Sequence, residues 1–283
     1  MLTEIFTETI IDCLKQLPFL FAAYLVIELL ENYSGEITGK VLEKFGKAGP
    51  VIGALCGCVP QCGFSVLAAN LFAGGLVSPG TLVAVFLATS DEAVIILLGN
   101  PGYLKEISAL IAAKIIIAVI CGYITDIFLA RFISEPRKER ELCEHCGCHD
   151  EEGHHHILIP ALKHTGMIIA YIFIFTLALN CVTGVIGEER FSELLLGNTV
   201  FQPLISAVIG FIPNCAASVI LTQLYIAGVL SFPAVISGLC TGAGAGLLVL
   251  LRVNRHRKET AKIIALMYVY AAAAGVILYL VMK

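Results

Sequence analysis

Gly57-Cys58-Val59-Pro60-Gln61-Cys62-Gly63-Phe64-Ser65-Val66 occurs a second time, in altered form, as Gly210-Phe211-Ile212-Pro213-Asn214-Cys215-Ala216-Ala217-Ser218-Val219. Shifted by 153 residues and continued to Ser78 and Ser231, the two copies share eight of 22 positions without a gap. The shared residues are Gly57/Gly210, Pro60/Pro213, Cys62/Cys215, Ser65/Ser218, Val66/Val219, Leu71/Leu224, Gly75/Gly228 and Ser78/Ser231. Gln61 faces Asn214, and Asn70 faces Gln223, so amides also exchange for amides. Chance similarity between apolar stretches does not place Pro, Cys and amides in register, so the chain is read as a duplication.

Each copy lies inside an apolar stretch too long for one clean span, Val51–Val77 and Leu194–Leu230. Proline removes a backbone donor and clashes with the preceding turn, so each helix breaks at its Pro. In lipid a break is tolerated only where the backbone faces protein or a watery cavity. Six further stretches read as one span each: Leu17–Leu30 (extended towards Ile11), Thr81–Leu98, Ile107–Phe132, Ile157–Ile186, Phe232–Leu251 and Ala261–Met282. The composition agrees. Of 283 residues 58% are hydrophobic and 14% charged, which excludes a disordered chain and argues against a soluble enzyme. The mean hydropathy of +0.89 points the same way. A net charge of −4 argues against a nucleic-acid partner. The odd count of 11 Cys does not suit a secreted disulfide scaffold. Glu4, Glu8 and Asp12 stand where a cleavable signal would be basic.

The expected fold is an all-α polytopic membrane protein of two inverted repeats. Each repeat has three full spans plus a Pro-broken re-entrant hairpin, about ten helices when half-helices are counted. Charge supports this arrangement. If each broken segment returns to the side it entered, only Lys15, Lys105, Lys114, Arg190 and Lys283 fall on one side, leaving thirteen of the eighteen Lys and Arg on the other. If each crosses instead, the split is eleven to seven. The positive-inside rule prefers the first, with both termini outside the cell membrane and the centre of the chain cytoplasmic. The domains are then a first transmembrane repeat over residues 1–133, a cytoplasmic His/Cys-rich linker over 134–160 and a second repeat over 161–283.

The candidate substrate site follows from the breaks. A restarting helix points free N–H groups and its positive dipole end at the break, which suits an anion or a polar oxygen. The site is expected to be lined by Pro60, Gln61, Cys62, Ser65 and Asn70 from the first copy and Pro213, Asn214, Cys215, Ser218 and Gln223 from the second. The amides supply donors and acceptors, and the thiols supply soft sulfur. Cys56 and Cys58 add two more candidate metal ligands to the first copy; Ile209 and Phe211 replace them in the second. Asp91 and Glu92, inside a span, are candidates for ion or proton coupling, because intramembrane carboxylates usually face a pathway; the alternative is that they sit near a helix end, with Ser90 and Asp91 forming a capping turn after a shorter span. Their counterparts are Gly244 and Ala245. Lys114 is a further charge inside a span, expected to pair with one of the two acids or to snorkel to the nearby interface. In the linker, Cys143, His145, Cys146, Cys148, His149, His154, His155 and His156 are candidate ligands for a borderline metal such as zinc, without the spacing of a closed zinc module. There is no P-loop, GxSxG elbow or HExxH, so neither an ATP-driven pump nor an enzyme is expected. No cofactor is expected to be required beyond a metal bound by the linker. The partners are the solute and membrane lipid.

The paired Pro-Gln-Cys and Pro-Asn-Cys breaks, the Thr89-Ser90-Asp91-Glu92-Ala93 stretch and the His/Cys-rich centre resemble the ten-helix heavy-metal exporters. That family carries arsenic-efflux and manganese-transporter labels and is related to the organoarsenical permeases. The resemblance spans nearly the whole chain and implies metal or metalloid export across the inner membrane. Thiols rank arsenic, antimony, cadmium or copper above manganese, a harder ion that prefers carboxylates. A carrier for a small sulfur-containing or oxyanionic solute, and a membrane thiol redox protein using Cys56, Cys58 and Cys62, are the other readings considered.

Overall fold

The structure is a computed structural model. It describes residues 48–89, 91–129, 132, 158–186, 200–213, 215–254 and 256–282, with most positions of 6–25. Among the described residues there is no strand, and those of 6–25 are helical. The helices are α1 (Gly49–Gly57), α2 (Cys62–Ala73), α3 (Pro79–Ala88), α4 (Asp91–Leu98), α5 (Leu104–Ile124), α6 (Leu158–Ile186), α7 (Phe201–Gly210), α8 (Cys215–Ile226), α9 (Phe232–Thr241), α10 (Ala245–Val253) and α11 (Arg257–Met282). Five segments are long and apolar enough to cross a membrane: Pro79–Leu98, Lys105–Leu129, Ala161–Ala178, Phe232–Val253 and Arg257–Met282. The protein is therefore an all-α, multi-pass membrane protein.

The two Pro-containing stretches break where expected. Residues 58–61 separate α1 from α2, and residues 211–214 separate α7 from α8. The breaks also turn the chain around. Gly49 approaches Thr81, Gly53 approaches Thr81 and Val85, and Gly57 approaches Val85 and Ala88. Contacts thus advance along α1 and α3 in the same direction, so the two helices are parallel and the chain between them must reverse. The second half repeats the register. Ser237 donates to the Pro203 carbonyl at 2.8 Å, and Thr241 to the Ala207 carbonyl at 2.8 Å. At 1.5 Å per residue, α1 and α7 reach about 14–15 Å and α2 and α8 about 18 Å, roughly half the hydrocarbon thickness. Each broken segment is thus a pair of half-length helices between which the chain reverses, as a re-entrant hairpin requires. The duplicated glycines close both hairpins: Gly75 and Gly228 have φ of +79° and +74°, a region a side chain strongly disfavours.

The duplication continues into the packing. Gly122 of α5 leaves no room for a Cβ against Pro50 and Ala84; Gly275 of α11 does the same against Pro203 and Ser237. All three pairs of positions are related by the same shift of 153. Between the halves the partners exchange: α2 packs on α10, and α8 packs on α4.

One expectation needs correction. The stretches Thr81–Leu98 and Phe232–Leu251, read as continuous spans, are both interrupted. Thr89 adopts ψ 127° between α3 and α4. Residues 242–244 separate α9 from α10, with Gly244 at φ 52°, ψ −137°. These interrupted spans form the centre of the molecule, 73% and 83% buried, whereas the spans in α5, α6 and α11 are 33%, 28% and 28% buried. The last three expose apolar residues such as Ile116, Ile120, Ile174, Val269 and Ile277, as lipid requires.

The starts of the two central spans are capped differently. Ser78 caps α3 by accepting from Thr81 N at 3.1 Å. Asp126, in a π-helical turn after α5, accepts from Ser78 Oγ at 2.7 Å and from Gly80 N at 2.8 Å. In the second half Gln202 Oε1 accepts from Ser231 N at 3.1 Å and Ser231 Oγ at 2.7 Å.

Candidate functional site

Four interruptions meet at the centre. Gly57, at the tip of α1, lies against Val85 and Ala88 beside the Thr89 break. Gly210, at the tip of α7, lies against Gly238 and Thr241 beside the 242–244 break. A Cβ on Gly246 would stand 2.6 Å from Ser65 Cβ, and one on Gly242 would stand 3.5 Å from Ser218 Oγ. Ser65 and Ser218, each three residues into the helix after its Pro break, therefore both abut the Gly242–Gly246 run. Gly246 makes the approach to Ser65 possible, since a Cβ there would run into the Ser65 backbone and side chain and hold the helices apart.

The interruptions re-route backbone hydrogen bonds. Around the first break the chain closes short turns, Val59 N to Cys56 O at 3.2 Å and Gln61 N to Val59 O at 2.7 Å. Around the second, Ile212 N bonds Ile209 O at 3.0 Å. Gln61 is the N-cap of α2 with extended backbone, φ −154° and ψ 117°, yet its side chain does not cap the helix. Gly244, the N-cap of α10, has no side chain with which to cap it. Short turns already engage Phe64 N at the start of α2 and Gly246 N and Leu247 N at the start of α10, and both starts carry the positive end of a helix dipole.

The expected site residues divide in three. Ser65, buried to 1% exposure, and the half-buried Gln61, Pro213 and Ser218 lie at the convergence, with the more exposed Pro60 at the first tip. Cys62 and Cys215 open α2 and α8 at the same place, as Asp91 and Glu92 open α4; Asn214 falls outside the described residues. Asn70 and Gln223 stand eight residues beyond the two Cys, about 12 Å along their helices. Asn70 Nδ2 is bonded there to Tyr24 OH at 3.3 Å and to Val66 O at 2.9 Å, while Gln223 is exposed. Of the further candidate ligands, Cys56 is half-buried on the last turn of α1 and Cys58 is half-buried at its C-cap. No group of three His, Cys, Asp or Glu is placed to hold a metal among the described residues. The linker ligands Cys143, His145, Cys146, Cys148, His149, His154, His155 and His156 lie outside those residues.

Two features of the centre lie beyond the expected site residues. The first is Lys114 of α5, which is fully buried. Its Nζ donates to the carbonyl of Thr89 and, at 2.7 Å, to that of Leu239. The sequence marks the charge but not its partners. The second is a set of thiols outside the duplicated motif. Cys240 on α9 and Cys121 on α5 are buried in the same core that Cys58 borders. Both read in sequence as ordinary small apolar residues.

Such a centre offers a polar ligand two serines and the starts of two helices that each begin with Cys. Residues 2–184 and, overlapping them, 156–282 match the sequence model of a family described as "Putative, 10TM heavy-metal exporter". Neither the curated proteins nor the solved structures contain a match.

Proposed function

Because the chain belongs to the 10TM heavy-metal exporter family, we propose that it is a secondary transporter that exports a thiophilic metal or metalloid, coupled to protons, from a site between its two Pro-broken segments. The observation that carries this reading is the convergence of the duplicated breaks. Ser65 and Ser218, on the two re-entrant hairpins, approach one glycine run, Gly242–Gly246, at the most buried level of the molecule. Interrupted helices at matching positions of two repeats are the usual setting of a transporter's midplane site.

In this reading the repeats are inverted. Each half has three crossings besides its re-entrant hairpin, and an odd number reverses the orientation. The basic residues then put the linker in the cytoplasm and both termini outside the inner membrane. Cys62 and Cys215 supply soft ligands from the two halves, Gln61 and Asn214 supply amides, and Ser65 and Ser218 supply hydroxyls. Thiolates favour trivalent arsenic or antimony, cadmium or copper over manganese. Asp91 and Glu92, at the first-half break where the second half has Gly244 and Ala245, carry the coupling proton or ion. The linker's His and Cys residues sense or deliver metal.

Purified protein in proteoliposomes tests the reading. Arsenite, a trivalent methylated arsenical, cadmium, zinc and manganese are offered with and without a pH gradient. The proposal expects a thiophilic solute to move and the gradient to speed it. Movement of manganese alone would transfer the site to Asp91 and Glu92. Movement of none would refute metal export.

A further inference from the structure

Lys114 occupies the middle of α5 with no exposed surface. Shifted by 153 residues, its counterpart on α11 is Met267, also with no exposed surface. The same place in the two halves is filled once by a cation and once by a thioether. Packing alone therefore does not call for charge there. An ammonium in the membrane interior costs about 2.5–3.5 kcal/mol on insertion scales. What Lys114 does, and Met267 cannot, is bind two carbonyls.

Those carbonyls belong to different halves and sit at the two central interruptions. Thr89 is the C-cap of α3, where the first crossing helix leaves helical geometry. Leu239 lies in the last turn of α9. The N–H four residues on, at Ala243, bonds Thr241 O at 2.9 Å instead, because the helix ends there. Helix ends release carbonyls that need donors, and a charged donor bonds them about twice as strongly as a neutral one. Cys58, at the re-entrant tip, and Cys240, next to Leu239, are both within electrostatic reach of the ammonium.

We infer that Lys114 is the positioning residue that ties the two interrupted crossing helices together beside the site, so that the halves part during transport only when this tie is loosened. It acts through the carbonyls of Thr89 and Leu239.

The test is Lys114→Met, which places the second half's own residue in the first. One readout needs no transported solute. N-ethylmaleimide modification of Cys240, followed by mass spectrometry in the purified protein, reports whether α9 stays seated. Cys13, buried in the N-terminal helical segment, controls for general loosening. Modification of Cys240 should rise about ten-fold in Lys114→Met with Cys13 unchanged, as for a local opening. Unchanged protection of Cys240, or an equal rise at Cys13, overturns the inference.

The second readout rests on the proposed function. With cadmium or arsenite in proteoliposomes, Lys114→Met should lower the maximal rate about ten-fold and leave KM within about three-fold, because the tie governs movement rather than solute contact. An unchanged maximal rate, or a loss confined to KM, overturns the inference. If the parent protein moves neither solute, the exporter reading falls, while Cys240 labelling still decides the role of Lys114.

Discussion

Gly210→Ala should loosen the second half at its tightest seam. Gly210 closes α7 against α9, and a methyl there would run into the backbone carbonyl of Gly238 and the Thr241 hydroxyl. A backbone oxygen cannot swing aside as a side chain can, so the helices must separate. That separation pulls on two bonds that hold them, Thr241 Oγ1 to Ala207 O and Ser237 Oγ to Pro203 O, each 2.8 Å. Overpacking a close-packed interior costs about 1–3 kcal/mol. Each interhelical bond within a membrane protein adds about 0.6 kcal/mol if lost. The sum is about 2–4 kcal/mol, against which the better helix propensity of Ala returns less than about 1 kcal/mol. Reversible unfolding in mixed micelles of mild detergent and SDS measures it. Gly166→Ala on α6 is the control, because a Cβ there meets nothing within 4 Å. It should be neutral or slightly stabilising, by at most about 1 kcal/mol. The packing argument fails if Gly210→Ala is as stable as the parent, or if Gly166→Ala loses as much.

The unequal caps make a second prediction. Asp126→Ala leaves Gly80 N and Ser78 Oγ without their acceptor, and Gln202→Ala does the same to Ser231. Each should cost about 1–2 kcal/mol in the same unfolding assay, a typical loss for a helix cap; no loss in either would mean water caps these helices equally well. The re-entrant hairpin makes a third. In proteoliposomes with inside and outside reagents applied separately, Val51→Cys and Val77→Cys should react from the same face of the membrane, because the chain dips and returns between them. Reaction from opposite faces would show that the segment crosses.

How much could be read in advance depended on how local the signal was. The hairpin tips were legible because proline acts on its own turn, and because the second copy repeats Pro, Cys and Ser at one spacing. The interruption at Thr89 was half visible, since Ser90-Asp91 after an apolar run reads as a capping turn that ends a shorter span, but those residues carry no Gly or Pro to force a break. So was its partner. The glycines at 242, 244 and 246 signalled close approach, but only the structure shows α9 ending at Gly242 and Gly244 turning the chain before α10 begins. Asp126 and Gln202 were passed over because their partners lie 46–48 and 29 residues away in the chain. Asn70 and Gln223 matched in sequence yet differ in setting. Tyr24, from the N-terminal segment, holds Asn70 and stacks on His164 at 5.7 Å between ring centres. Pairing by duplication identifies equivalent backbone positions, and the rest of the chain then decides what surrounds each.

The most direct measurement of the central claim is gradient-driven cadmium and arsenite flux in proteoliposomes, comparing the parent with Cys62→Ser/Cys215→Ser and with Asp91→Asn. The account predicts that the parent moves at least one of the two solutes and that the double thiol variant, though folded, loses that movement by about ten-fold or more, the effect of removing about 1.4 kcal/mol of binding or transition-state stabilisation. Asp91→Asn should retain downhill movement and lose the stimulation by the pH gradient. If the double thiol variant transports as the parent does, the two cysteines are packing residues, and the solute is not held between the duplicated breaks by sulfur.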